Sequence, residues 1–378
     1  MMMTLSEAQS TCGILSVNIN AIVENYRVLA RHCFPAQCGA VLKANAYGLG
    51  AQEIAPALYA ANCRIFFVAQ LAEGLALRAI LPVDASVVLL NGVTPDAMPF
   101  CYTQQITPLL NSFEQVIAWL SLLKACEQQR PVLIQLDSGM SRLGVMPDEL
   151  AQLAEQFRQR RWPAPEYIIS HLANADAPEH ALNAKQYALL QQAKICFPDS
   201  GYSLANSCGI FLDTAWREDL CRPGVALFGV GQPWFSLALK PVFTLMLKIL
   251  RVQEVPVGTP IGYGSTVTTT HVVRVATISA GYADGIPRNL RPPAGVSWRG
   301  VRLPVLGRVC MDSFMVDASA ITPRPGDSVE FIGEYQSLEE IAAACDTIPY
   351  ELMTRLGARF QRLMLPEAVS LPVQSRRA

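Results

Sequence analysis

Eight short apolar runs recur through the first 230 residues, and no other feature of the chain constrains its fold as tightly. They are Cys38–Lys43, Arg64–Gln70, Ser86–Asn91, Gln105–Leu110, Val132–Asp137, Tyr167–His171, Tyr202–Asn206 and Val225–Val230. Each is bounded by Gly, Pro, Asn or Asp, and several are continuously apolar, as expected of parallel strands buried on both faces. Segments with helical periodicity lie between them. In Pro147–Arg160, for example, Leu150, Leu153, Ala154 and Phe157 fall at helical spacing, with Pro147 suited to a first turn. Strands alternating with helices predict an α/β fold, and the count of eight favours a (β/α)8 TIM-type barrel over a doubly wound open sheet.

Beyond Phe235 the texture changes. Helical periodicity fades and Val, Thr, Gly and Pro dominate Val267–Ala280, Gly300–Val316 and Asp327–Ile332, which predicts a mainly β second domain. The expected division is residues 1–235 for the barrel and 236–378 for the β domain, with one helix returning at Ser337–Cys345. Ile14–Ile19 alternates like a strand yet precedes the barrel, so residues 1–19 are candidates to pair with the C-terminal domain. The last six residues are polar and basic and are expected to fray.

Composition sets the outer limits. A chain of 378 residues suits two domains, and 51% apolar against 16% charged residues supplies a large core. The formal net charge of −1 gives no electrostatic handle for nucleic acid or an anionic membrane. Eleven cysteines with no C-x-x-C, beside four histidines, argue against a disulfide framework and against a structural zinc or other metal site. Met1–Thr11 has neither a basic region nor a long apolar one, and Pro233, Lys240, Pro241 and Lys248 interrupt the most apolar stretch, Gly224–Leu250. A soluble cytoplasmic protein is expected.

In a barrel of this kind chemistry sits at the C-terminal ends of the strands. Those positions hold Lys43, Asn91, Asp137 with Arg142 just beyond, His171, Asn206 with Ser207, and Arg222 just before the last run. Singly, each has an ordinary structural explanation: a solvated lysine, a hydrogen-bonded core histidine, arginines in surface ion pairs. Together they are what an anionic, carbonyl-bearing cofactor requires. A lysine desolvated against Val41 and Leu42 has its amine pKa lowered, which suits covalent attachment to an aldehyde. Tyr47 lies within reach of a phosphate. Ala205–Ser207 and Arg222–Val225 supply a hydroxyl and glycine-exposed N–H groups beside the seventh and eighth runs, the region where barrels commonly bind phosphate.

These segments also carry a resemblance. VLKANAYG at Val41–Gly48 is similar to the lysine motif of bacterial alanine racemases, pyridoxal-phosphate enzymes of fold-type III. DSGMSRLG at Asp137–Gly144, SHLANAD at Ser170–Asp176, ANS at Ala205–Ser207 and RPG at Arg222–Gly224 follow in the family's order. So do IGYGS at Ile261–Ser265, GYADG at Gly281–Gly285, GRVCMD at Gly307–Asp312 and PYELMTRL at Pro349–Leu356. The resemblance implies interconversion of L- and D-alanine, as for cell-wall precursor supply, by a homodimer with shared active sites. Lys43 would hold pyridoxal 5′-phosphate covalently and act as base on one face of the substrate, and Tyr263 of the partner subunit would act on the other. Arg222 would bond the pyridine nitrogen with His171 behind it. Tyr47, Ser207 with Asn206 beside it, Tyr350 and the backbone of Gly224 and Val225 would bind the cofactor's phosphate end. Arg142 would meet the cofactor's phenolic oxygen and, with the N–H of Met311, the substrate carboxylate, and Tyr282 with Tyr350 would narrow the entrance.

The chemistry needs these residue types. Racemisation removes a proton from one face of Cα and delivers one to the other, so two bases must flank it. A phenol titrating near 10 is a poor base at neutral pH unless nearby positive charge stabilises its anion. An arginine donates to the ring nitrogen without surrendering its proton, which keeps the cofactor a weaker electron sink and limits side reactions.

Three positions depart from the family pattern. Leu49 replaces a histidine, Ile286 an aromatic residue, and Gln135 a lysine that is carbamylated in many relatives. Arg142 is therefore expected to be oriented by the Gln135 amide or by a bound halide. Cys310 reads as a small core residue, Asp312 and Asp176 as orienting or turn residues. The alternatives are a racemase of another small amino acid such as serine, a barrel-type decarboxylase of basic amino acids, or a non-catalytic pyridoxal-phosphate carrier. Tyr263 and Arg222 weigh against the decarboxylase, and the complete C-terminal domain weighs against the carrier. A biosynthetic and a catabolic role both stay open.

Overall fold

Apolar side chains on both faces of short strands lead to a closed parallel sheet. The computed structural model describes residues 11–126 and 128–365; Met1–Ser10 and the expected fraying of the last six residues lie outside the described residues. The chain divides into two units, Ile22–Lys240 and a second made of the residues up to Ala21 together with those from Pro241 onward.

In the first unit, strands Ala40–Val41, Ile65–Val68, Ser86–Leu89, Thr107–Leu110, Leu133–Gln135, Tyr167–Ile169 and Gly201–Ser203 form one sheet in that order, every pair parallel. The short strand Leu220–Cys221 pairs in parallel with Gln37–Cys38, and Asp219 N–H donates to Tyr202 C=O at 3.0 Å, so the sheet closes on itself. Val41, Phe67, Val88, Leu109, Leu133, Ile169 and their neighbours meet in one buried cluster that fills the barrel. Phe66, Val87, Leu110, Ile134 and Ile168, next to them in sequence, are equally buried on the opposite side. That double burial is why the runs look continuously apolar. Replacing one such side chain, Leu109→Ala for instance, would cost about 2–5 kcal/mol.

One expected strand is absent. Val225–Val230, read as the eighth strand, contains the 3-10 turn Val225–Phe228, ended by Gly229 in the left-handed region; the eighth strand is Leu220–Cys221. A short apolar run has the same hydrophobic profile whether it is strand or helix, so periodicity does not separate them. As a result Arg222 follows the last strand instead of preceding it, which is where barrel chemistry belongs.

In the second unit, the strands run in the order Val273–Ile278, Phe314–Asp317, Val301–Leu306, Gly295–Trp298, Ser328–Ile332, Phe243–Val255, Gly13–Asn18 and Gln361–Leu365. The thirteen-residue strand Phe243–Val255 pairs with Ser328–Ile332 through its first half and with Val273–Ile278 through its second. Its burial alternates from Phe243 to Ile249, and the register then shifts between Ile249 and Arg251. A bulge of this kind resets the alternation and lets one strand serve two neighbours. Gly13–Asn18 is antiparallel to this strand and parallel to Gln361–Leu365. Helix Leu338–Ala344 opens on a reciprocal cap: Glu340 N–H donates to Ser337 Oγ and Ser337 N–H to Glu340 Oε2, both at 3.1 Å.

All eleven cysteines are free thiols. Among the described residues no group of His, Cys, Asp and Glu could hold a metal ion, and no helix is long and apolar enough to cross a membrane.

Candidate active site

Lys43 leaves the first barrel strand directly into an unusual backbone. Ala44, Asn45, Ala46 and Tyr47 all have φ between 53° and 55°, a left-handed turn that ends at Gly48. Each non-glycine residue there costs roughly 1–2 kcal/mol. The turn is held by Ala46 N–H to Leu42 C=O and Gly48 N–H to Ala44 C=O, both 2.8 Å. Glu73 reinforces it from helix Leu71–Arg78, which follows the second barrel strand. Its Oε1 accepts from Asn45 N–H at 3.2 Å, while Oε2 accepts from Ala69 and Gln70 N–H at 2.9 and 3.0 Å. The Lys43 ammonium is pushed below its ordinary pKa by burial first, then by Arg142, with Glu73 opposing and Arg222 adding a smaller push.

The turn delivers Tyr47 to the far side of the rim. Its buried ring packs against Phe228, and its hydroxyl lies so close to Gly224 that a Cβ there would clash with it. Ser207 Oγ accepts from Gly224 N–H at 2.9 Å and Ala226 N–H at 3.2 Å. A phenol, a hydroxyl and backbone donors around a residue without a side chain form a cradle that suits phosphate. Asn206 braces the cradle: Gly209 N–H donates to its Oδ1 at 2.9 Å, and its own Nδ2 donates to Leu172 C=O at 3.3 Å.

Arg222 is almost fully buried, at 3% exposure, and burial lowers its pKa to about 10. It donates to Ser203 Oγ, to Ser170 C=O at 2.6 Å and to His171 Nδ1 at 3.3 Å. All three acceptors are neutral, and among the described residues no carboxylate pairs with it. A buried cation without a counter-charge is expensive unless an anion joins it. Arginine has no acceptor, so His171 Nδ1 must be bare and its proton on Nε2. Burial, then Arg222, Arg142 and Lys43, lower the His171 pKa to about 3, which keeps the ring neutral. The backbone of His171 is held in turn by Gln186, fully buried, whose amide donates to its carbonyl at 2.8 Å and to Ser138 Oγ at 3.2 Å.

Arg142 rides on a loop shaped by Asp137, whose Oδ1 accepts from Gly139, Met140 and Ser141 N–H at 2.9 to 3.1 Å. Arg142, Gln135 and His171 line the same cleft. Among the described residues no direct hydrogen bond joins Gln135 to Arg142.

Lys43, Tyr47, Arg142, His171, Asn206, Ser207, Arg222, Gly224 and Val225 thus share one rim of the barrel unit. Tyr263, Tyr282, Met311 and Tyr350 belong to the β unit. Tyr263, 70% exposed, stands on a turn between Gly262 and Gly264, both at positive φ. Tyr282 and Met311 are exposed on adjoining loops joined by Tyr282 N–H to Cys310 C=O and Ala283 N–H to Met311 C=O. Tyr350 lies in the first turn of helix Pro349–Thr354. Glu73 and Gln186 escaped the sequence reading; Glu73 carries a legible signal, an acidic residue in the first helical turn, and Gln186 carries none.

Residues 17–232 match the family model for the N-terminal domain of alanine racemase, and residues 242–364 the model for its C-terminal domain. Alanine racemase 3 of Salmonella typhi is 76% identical over 97% of this chain and 99% of its own. Alanine racemase of Brucella suis is 41% identical over 93% of each. A crystal structure of alanine racemase from Bartonella henselae, with covalently bound pyridoxal phosphate, superposes with a TM-score of 0.89. It is 42% identical, and the match covers 94% of this chain and 99% of that one. Matched over both units, the chain belongs to the alanine racemase family.

Proposed function

We propose that the enzyme interconverts L- and D-alanine with pyridoxal 5′-phosphate between two bases, Lys43 and the partner subunit's Tyr263, in a cytoplasmic homodimer. The observation that carries the assignment is the single rim on which a desolvated lysine, a phosphate cradle and an uncompensated buried arginine meet. The cofactor's donor set fits: Lys43 for the aldehyde, Tyr47, Ser207, Gly224, Val225 and Tyr350 for the phosphate, Arg222 for the ring nitrogen. When bound, pyridoxal phosphate supplies the electron-withdrawing system that acidifies the substrate's Cα–H.

The protein's own groups do the rest. Lowering the Lys43 pKa raises the fraction of neutral amine able to accept the Cα proton at working pH. Arg222, its charge retained and its partner His171 neutral, offers hydrogen bonds without giving up a proton. Arg142 and the Met311 N–H hold the substrate carboxylate, Tyr282 and Tyr350 narrow the way in, and Asn206 keeps Ser207 in place. Free thiols throughout suit a reducing compartment.

The test is proton exchange against inversion, followed by NMR in D2O. Wild type should racemise both enantiomers and exchange their Cα hydrogen. Lys43→Ala should do neither. Tyr263→Phe should exchange one enantiomer's Cα hydrogen much faster than it inverts it, because one base survives. Full racemisation by Lys43→Ala, or equal loss of exchange for both enantiomers in Tyr263→Phe, would overturn the assignment.

A further inference from the structure

Three segments of the β unit come together backbone to backbone around one guanidinium. Arg359 Nε and Nη2 donate to the two oxygens of Asp284 at 2.6 and 2.8 Å, and Nη1 donates to Asp312 Oδ1 at 2.7 Å. Asp284 is fully buried, and its Oδ2 also accepts from Gly281 N–H at 2.9 Å. Its carbonyl accepts from Gly357 N–H at 3.0 Å. A Cβ at Gly281 would clash with the carbonyls of Cys310 and Met311, and one at Gly285 with the carbonyl of Arg355. Asp284 belongs to the loop of Tyr282, and Asp312 directly follows Met311. Among the described residues Met311 N–H donates to no acceptor, and the residue is half exposed. The Met311 loop therefore presents a free donor, and its tie to Arg359 is a single hydrogen bond through an exposed carboxylate.

We infer that Arg359 is a positioning residue that locks the Met311 and Tyr282 loops together and so aims the Met311 N–H at the substrate carboxylate. The inference rests on the substrate contact proposed above for Met311. A planar guanidinium can hold a bidentate carboxylate and a second one at once; a lysine ammonium, a point charge, cannot match that geometry. Arg359 touches neither substrate nor cofactor. It acts through the loops.

Truncating Arg359 would leave Asp284 buried and unpaired, enough to endanger folding. Asp312→Ala avoids this: it cuts the exposed tie, leaves the buried pair intact and should barely change the melting temperature. Removing a negative charge near a carboxylate site would by itself favour carboxylate binding, so a weakened site after this change cannot come from charge. L- and D-alanine are equal in free energy, so kcat/KM falls equally in both directions whatever is altered. The informative quantity is how the loss divides between KM and kcat.

The experiment measures KM and kcat for both enantiomers, and acetate binding by saturation-transfer NMR, on cofactor-loaded wild type, Asp312→Ala and Arg359→Lys. The expected result is a KM raised roughly tenfold for both enantiomers in Asp312→Ala, with acetate affinity weakened in parallel and kcat within about twofold. Arg359→Lys, which cannot hold both carboxylates at once, should raise KM at least as much. Unchanged KM and acetate affinity in Asp312→Ala, beside an active wild type, would reduce Arg359 to a structural ion pair. Acetate that fails to bind an active wild type would instead remove the carboxylate assignment on which the inference stands.

Discussion

Arg222 and His171 show how one side chain's chemistry dictates its neighbour's. The arginine can only donate, so the imidazole must accept, and burial together with the surrounding cations keeps it neutral. This has a pH consequence with a definite sign. The His171 pKa lies near 3 in the folded protein against an ordinary 6.5, so below pH 6.5 the unfolded chain binds a proton that the folded one refuses. Stability is complete above pH 6.5 and is lost as pH falls toward 3, at about 1.4 kcal/mol per pH unit. His171→Asn keeps an acceptor for Arg222 but does not titrate. Urea unfolding at pH 6.5 and 5.0 should show wild type losing ~2 kcal/mol more than the variant. Parallel losses in the two proteins would mean that the ring protonates in place. At this scale the sequence displayed Lys43, His171 and Arg222 because their types carry chemistry. It hid Gln186 and Ser138, which act only by holding other groups.

Among the elements, the turn after Lys43 is the least legible. VLKANAYG is recognisable as a motif, yet Ala44, Ala46 and Tyr47 are not residues that favour positive φ, and only tertiary contacts account for their conformation. Glu73 is one of these: its carboxylate accepts the Asn45 N–H of the turn together with the Ala69 and Gln70 N–H groups at the start of its own helix. Glu73→Gln would turn an NH2 toward at least one of those donors and remove the charge. A loss of about 1.5–3 kcal/mol is expected. Weaker borohydride-trappable attachment of pyridoxal phosphate at Lys43, read by mass spectrometry, should accompany it. A variant that melts like wild type and traps cofactor fully would show that the turn stands without the brace. The strands were far easier to read. Seven of the eight runs overlap barrel strands, because burial on both faces leaves a continuous apolar signal. Val225–Phe228 misled for the same reason, since a buried 3-10 turn is just as apolar. The long strand Phe243–Val255 was missed because outward-facing Met246 and Leu250 are apolar too, which blurs in the sequence the alternation that burial shows from Phe243 to Ile249.

At the scale of the whole molecule, the two proposed bases belong to different units of the chain, Lys43 to the barrel and Tyr263 to the β unit. Sequence order alone does not say whether one active site draws them from one chain or from two. Point-group symmetry makes the question quantitative. If each site in a two-fold dimer takes its lysine from one subunit and its tyrosine from the other, Lys43→Ala and Tyr263→Phe chains should complement each other. After unfolding, mixing in equal amounts and refolding, half of the dimers are hybrids. Each hybrid has one site with both lesions and one with neither, so about a quarter of the wild-type activity should return. If both bases came from the same chain, every site in every dimer would carry one lesion and mixing would recover nothing. Recovery should also vanish when the two variants are refolded separately and combined without subunit exchange, which ties the activity to the hybrid and not to residual turnover by either parent.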